Sequence, residues 1–327
     1  MSMRVAVTGA AGHLGGAVVR MLLDTGVSVR ALVREDRRAI EGLPVEIHEG
    51  DVREPEVMAR LVDGCERVFH LAALISLDPG DEARMMSTNV DGVRVVMASC
   101  RDGGVKRVVH VSSIHALSAV PVDAPVDEMR EPPGPNAPAY DRSKAAGEAV
   151  VREAVEAGVD VVTVNPTGVV GPYDFRPSRM GEVLLDLYHR RLPGLVAGGF
   201  DWVDVRDVAA STIAAAERGV RGRRYLLPGT WCTLVEIATL VETITGKKRP
   251  WMTSPMWLAR GVAPMAVAWA KLRKRRPLFT PTSLVALRGH KQVNGERARS
   301  ELGHAPRPLE QTLADTFAWF GDHGMLA

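Results

Sequence analysis

The chain has 327 residues, 46% hydrophobic and 24% charged, proportions of a globular protein of one large or two average domains rather than of a disordered, collagen-like or coiled-coil chain. Lys+Arg 41 against Asp+Glu 39 leaves +2, too balanced for nucleic-acid or membrane binding by bulk charge. Cys65, Cys100 and Cys232 lie far apart, which argues against a zinc site or disulfide framework and for a reducing, cytoplasmic setting.

The start of the chain runs directly into a strand-like segment, Arg4-Val-Ala-Val-Thr8, so no signal peptide is expected. No apolar run reaches the roughly 18 residues of a membrane span. Further β-branched runs follow at Val27–Val33, Val45–Ile47, Arg67–Leu71, Lys106–Ser112 and Val159–Val164, with helical spacing between most of them, as at Leu14–Leu23 and Met86–Cys100. Strands alternating with helices predict βαβ units and a doubly wound parallel sheet of about seven strands. Six prolines between 121 and 138 mark a loop over a cleft. An alanine-rich helix that Asp207 could cap precedes a late strand, Arg223–Leu227, that rejoins the sheet, and Thr233-Leu-Val-Glu236 has capping-box spacing. The division expected is a cofactor domain of 1–165 plus 201–228, and a smaller interleaved substrate lobe of 166–200 plus 229–327.

Thr8-Gly-Ala-Ala-Gly-His-Leu-Gly15 links the first strand to the first helix. Gly9, Gly12 and Gly15 allow a tight turn, close approach to a pyrophosphate and close helix–sheet contact, and the helix N-terminus supplies free N–H groups. This strand–turn–helix context predicts a dinucleotide site. His13 and Leu14 lie within the turn, His13 as a solvent-facing filler. The second strand ends at Arg34, which suits a 2′-phosphate and favours NADP; Glu35 beside it keeps NAD open.

Tyr140 and Lys144 stand four residues apart on one helix face. An ammonium near a phenol lowers the tyrosine pKa, which would make Tyr140 a general acid/base. Ser112 and Ser113 end the Val108–Val111 strand at the edge where α/β folds bind ligands, so a serine hydroxyl there can hold a carbonyl or alcohol beside the tyrosine.

With these residues in view, the sequence resembles an extended short-chain dehydrogenase/reductase of the NAD-dependent epimerase/dehydratase superfamily over nearly its whole length. The matching segments are Thr8–Gly15, Gly50-Asp-Val52, His70-Leu-Ala-Ala73, Asn89-Val-Asp-Gly92, Val111-Ser-Ser113, Tyr140-x-x-x-Lys144, Asn165–Pro172 and Asp204–Ala209. The resemblance implies that Asp51 and Val52 lie against the adenine, that Leu71, Ala72 and Ala73 form the cofactor wall, and that Asn165, Pro166 and Thr167 flank the nicotinamide. It further implies Ser113, Tyr140, Lys144 and Asn89 as the catalytic set, with Lys144 also on the nicotinamide ribose, and a homodimer through helices near 81–102 and 138–157. Arg34, Asn165-Pro-Thr-Gly168, Pro277–Thr280 and Ala305-Pro-Arg-Pro-Leu309 are similar to the branch of dihydroflavonol reductases and 3β-hydroxysteroid dehydrogenases. That branch implies carbonyl reduction or alcohol oxidation on bulky apolar substrates.

Among the remaining residues, His70 and His110 read as core histidines. His115, just past Ser113, is a substrate-contact candidate. Tyr173 and Phe175 either line the pocket or pack among aromatics. Asp204 and Asp207 read as a cap and a structural contact. The apolar stretch 256–272 with Arg273-Lys-Arg-Arg276 reads as a helix covering the pocket, with membrane-surface binding as the alternative. Two other functions compete with an NADP-dependent carbonyl reductase. One is a sugar-nucleotide epimerase or dehydratase with tightly bound NAD, for which Arg176, Arg179, Arg190 and Arg206 could hold a diphosphate. The other is a non-catalytic NADP-sensing or scaffold protein that keeps the fold. No metal is expected.

Overall fold

Alternate residues of the first strand, β1 (Arg4–Thr8), leave on opposite sides: Val5 and Val7 join one apolar cluster and Ala6 the other, all fully buried. A strand of this kind must be covered on both faces. In the computed structural model, which describes residues 3–76, 79–258, 261, 287 and 289–327, it is. β2 (Ser28–Val33) and β3 (Glu46–Glu49) extend the sheet on one side of β1. On the other side come β4 (Arg67–His70), β5 (Arg107–Val111), β6 (Val161–Pro166) and the late strand β10 (Arg224–Leu227), giving seven strands in the order β10-β6-β5-β4-β1-β2-β3. Every pairing in this sheet is parallel. The order reverses direction between β1 and β4, which makes that crevice the ligand position of the fold.

α1 (His13–Asp24) and α7 (Val205–Arg218) cover one face through Val18, Val19, Val208 and Ala215. α2 (Pro55–Val62), α4 (Gly92–Asp102) and α5 (Ala139–Glu156) cover the other through Met58, Leu61, Val96, Val150 and Val151. The helix expected over Met86–Cys100 is a longer unit: α3 (Glu82–Met86) runs through a π-helical turn, Ser87–Asp91, into α4.

A separate three-stranded sheet joins β7 (Gly168–Val170), β9 (Gly199–Asp204) and β11 (Thr230–Thr233). A short parallel pair joins β8 (Leu195–Val196) to β12 (Thr253–Ser254). With α6 (Arg179–Tyr188), α8 (Leu234–Thr245) and α9 (Leu309–Asp322) they enclose a second core around Trp202, Leu184, Ile237, Phe317 and Phe320. β10 therefore joins the large sheet, while β9 pairs in the three-stranded one. The capping box at Thr233 and Glu236 is formed. The cap expected at Asp207 is instead Asp204, whose Oδ1 accepts the Arg206 N–H at 2.8 Å. Asp207 lies inside the helix and binds the Arg307 guanidinium at 2.7 Å, because only the residue with extended backbone before the first turn can turn its side chain onto the free N–H groups.

The expected pocket-covering helix falls, apart from 256–258 and 261, outside the described residues, as does Pro277–Thr280. No helix among the described residues is long and apolar enough to cross a membrane. Among the same residues no group of three or more His, Cys, Asp or Glu could hold a metal ion.

Candidate active site

The turn between β1 and α1 is shaped by contacts that only glycine permits. Gly9 has φ +70°, and a Cβ there would lie 2.7 Å from the Ala72 nitrogen. At Gly15 a Cβ would lie 2.0 Å from the Gly9 carbonyl oxygen. The Leu71–Ala72 segment after β4 is thus pressed onto the turn, and Leu14 packs on the core behind it. Gly12 is the N-cap of α1 and contributes no side-chain cap, so the first-turn N–H groups remain available to an anion. This cradle fits a pyrophosphate. His13 is not the expected solvent-facing filler: its side chain is 9% exposed, and its Nε2 lies 2.9 Å from the Pro172 carbonyl oxygen. The closeness of β7's following turn to the phosphate turn, a contact between residues 159 positions apart, takes the imidazole out of solvent.

Arg34 follows β2 and is exposed. Arg37 pairs with Glu49, Arg38 with Asp36 at 2.6 Å and Arg53 with Asp51 at 2.8 Å. Arg34 has no hydrogen bond or ion pair among the described residues; its charge acts on Asp51, whose carboxyl is held below the usual range chiefly by the Arg53 hydrogen bond. Val52 beside it is buried.

At the other side of the crevice Ser113 ends the segment after β5, and its Oγ accepts the His115 N–H at 3.2 Å. Tyr140 opens α5. Burial pushes its phenol up to about 12, partly offset by the Ser113 hydroxyl. Lys144, one turn on, is buried and donates to the Val111 carbonyl at 3.2 Å; burial pulls it down to about 8. The expected lowering of the tyrosine pKa by the lysine is therefore not seen, because desolvation dominates and the ammonium is turned to the β5 backbone. The phenol is held protonated at neutral pH.

The surrounding side chains hold this trio. The Asn165 amide, fully buried at the end of β6, donates to the Ser113 carbonyl at 2.9 Å and to Glu148 Oε1 at 2.6 Å, and Glu148 Oε2 meets Arg224 at 2.6 Å. Asn89 sits in the π-helical turn. Its amide clasps the Leu74 backbone at 2.8 and 2.9 Å and donates to Ser143 Oγ at 2.9 Å; Ser143 in turn donates to the Tyr140 carbonyl at 2.8 Å. Pro166 closes β6, and Thr167 bonds Asp201 at 2.6 Å. His70 and His110 are buried on neighbouring strands, as expected. His115 is held by Asp141 at 3.0 Å with its ring edge-on to Tyr140.

Tyr173 and Phe175 take the packing alternative. Both rings lie against Arg20 of α1, at 4.9 and 5.5 Å, and Phe175 also meets Trp319 at 5.0 Å. Gly171–Pro172 turns the chain toward α1, so these rings follow the phosphate-turn side. The sequence reading passed over Asp174, which is buried and accepts the Ser178 N–H, and over Asp141, Ser143 and Glu148. Glu148 carried a signal, standing four residues beyond Lys144 on the same helix face; Asp141 and Asp174 carried none.

Residues 5–227 match the family model described as NAD dependent epimerase/dehydratase family. Sterol demethylase protein B of Methylococcus capsulatus is 40% identical over 99% of this chain and 100% of its own length. A putative dihydroflavonol 4-reductase of Synechocystis is 34% identical over 97% and 94%. Among solved structures, gox2253 superposes with a TM-score of 0.86 at 33% identity, covering 99% of both chains. The chain is thus a member of the NAD dependent epimerase/dehydratase family, an oxidoreductase of the extended short-chain dehydrogenase/reductase type.

Proposed function

We propose that this protein is an NADP-dependent carbonyl reductase acting on a bulky, largely apolar ketone or aldehyde. The observation that carries the reading is the convergence of Ser113, Tyr140 and Lys144 at the strand edge facing the phosphate turn, with the phenol protonated at neutral pH. When bound, the nicotinamide supplies the hydride. The chain supplies the rest. The Ser113 hydroxyl donates to the substrate carbonyl oxygen and orients it, and the Tyr140 O–H passes its proton to that oxygen as negative charge develops. Lys144 carries its charge beneath the site and binds the nicotinamide ribose. Asn165, Pro166 and Thr167 bound the nicotinamide, Leu71–Ala73 wall the cofactor, and Asp51 and Val52 receive the adenine. Asn89 acts as a positioning residue through Ser143. The unpaired Arg34 favours NADP by offering its guanidinium to a 2′-phosphate.

Two relatives named for sterol and dihydroflavonol chemistry support a bulky substrate. Of the four arginines the sugar-nucleotide alternative could use for a diphosphate, Arg179 is paired with Glu182 and Arg206 with Asp204 and Asp315, which leaves Arg176 and Arg190. The test is Tyr140→Phe in an NADPH-driven assay over ketones and aldehydes. Turnover should fall about 10²- to 10⁴-fold, the usual worth of a positioned acid, with NADPH binding retained. A variant that binds NADPH and keeps full turnover sinks the mechanism.

A further inference from the structure

The elements around the second core present an apolar surface that the fold does not cover. Among the described residues nine large hydrophobic side chains are exposed, and four of them, Trp251, Met252, Trp257 and Leu258, fall within one short run. Trp251 is 91% exposed and Trp257 74%. Scattered single apolar residues are ordinary on a protein surface, whereas a cluster holding two indoles marks an interaction face. The backbone of the run is tied down. The Leu195 N–H donates to the Met252 carbonyl at 2.9 Å and the Ala197 N–H to the Ser254 carbonyl at 3.1 Å, which seats β12 on β8, and Met256 packs on the second core. The two indoles stand on either side of this anchor.

Basic side chains border them. α8 stops at Gly246, with φ +70°, and Lys247-Lys248-Arg249 follow at once, all exposed. The Lys247 ammonium lies 5.0 Å from the centre of the Tyr188 ring at the end of α6, where Arg190 and Arg191 are exposed as well. Of these five cations Arg249 meets Glu242 at 3.5 Å and Arg191 meets Asp186 at 3.6 Å. The side chains of Lys248 and Arg190 have no hydrogen bond or ion pair among the described residues. Unbalanced cations beside indoles match a lipid headgroup layer, which offers phosphates to the former and a boundary between water and acyl chains to the latter. The same residues disfavour a protein partner. Lysine is depleted from protein–protein contacts, and Pro250 and Pro255 flank the two-residue β12, which blunts it as an edge for strand addition.

We propose that this surface docks on a bilayer carrying anionic lipid, with Trp251 and Trp257 entering the headgroup layer and Lys247, Lys248 and Arg190 meeting lipid phosphates. The contact is peripheral, and it stands apart from the reductase reading because none of these residues belongs to the Ser113, Tyr140 and Lys144 site.

The experiment is a titration of the full-length protein with phosphatidylcholine vesicles, plain or containing phosphatidylglycerol, read by co-sedimentation and by tryptophan emission. The vesicles with phosphatidylglycerol should bind about 10- to 100-fold more tightly, the worth of two or three basic residues at an anionic surface, and should shift the emission to the blue. Trp251→Ala combined with Trp257→Ala should weaken that binding about tenfold or more, and Lys248→Ala about fivefold, both with the urea-unfolding midpoint of the parent. A shifted midpoint in the double variant leaves Lys248→Ala to decide. A parent that binds neither vesicle, equal affinity for both, or a folded variant that binds as the parent does overturns the proposal. Sedimentation velocity covers the rival occupant: a parent assembly that the double variant dissociates, with no vesicle binding, gives this surface to a second copy of the chain and overturns the proposal as well.

Discussion

In the proposed reading, cofactor choice turns on Arg34, which lacks a hydrogen-bonded or ion-paired carboxylate among the described residues. The neighbouring Arg37, Arg38 and Arg53 each spend their guanidinium on a nearby carboxylate, while Arg34 has no such partner among the described residues. A guanidinium meeting a phosphate forms charge-assisted bonds of about 1.5–3 kcal/mol. Arg34→Ala should therefore weaken NADPH by about 10- to 100-fold and leave NADH nearly unchanged, as read by fluorescence titration of both. Equal losses for the two cofactors would show that Arg34 shapes the site without reading the 2′-phosphate. The same local logic explains Tyr140. Desolvation outweighs any help from Lys144, so the phenol remains an acid, as reduction of a carbonyl requires.

A close contact between elements helps to hold the proposed catalytic trio. α5 lies against the π-helical turn so closely that a Cβ at Gly147 would be 2.5 Å from the Asn89 carbonyl oxygen. The extra residue of a π turn widens the helix there, and Asn89 uses the space to link Leu74 to Ser143 and through it to the Tyr140 backbone. Gly147→Ala should push α5 away from this turn. We expect a loss of about 1–3 kcal/mol in chemical unfolding, the usual cost of overpacking, and a lower kcat with NADPH affinity retained. Unchanged stability and kcat would mean that the helices part without disturbing Tyr140. Much of this architecture was legible beforehand: β-branched runs marked β1 and β2, the glycine spacing marked the phosphate turn, and Tyr140 and Lys144 were paired by helical period. The π turn, the burial of His13 under Pro172, the move of the cap from Asp207 to Asp204 and the Asp141–His115 bond were not. Each depends on which distant segment arrives beside it, and local periodicity carries no information about that.

Across the whole molecule the parallel register aligns a polar row through the centre of the large sheet. Thr8, His70, His110 and Thr163 stand side by side on β1, β4, β5 and β6. Thr8 Oγ1 bonds His70 Nδ1 at 2.7 Å, but His70 Nε2 and both nitrogens of His110 are buried with no hydrogen-bond partner among the described residues. Burial pulls His70 down to about 3 and His110 well below its ordinary value, and His290 falls to about 4. These groups stay neutral in the fold while the unfolded chain takes up protons below about 6.5. In that window the unfolded state binds more protons, so stability rises with pH; it is fully present above about 6.5 and is lost as the medium is acidified toward the folded values. Each histidine contributes a slope of about 1.4 kcal/mol per pH unit. His110→Leu isolates one of them. With no hydrogen bond to lose, the variant should match or exceed the parent near neutrality. Its urea-unfolding free energy should fall less steeply between about pH 6.5 and about pH 5, by roughly the contribution of one histidine. An unchanged slope would mean that His110 is protonated in the folded protein, and the row would then have to be stabilised by a charge partner rather than kept neutral by burial.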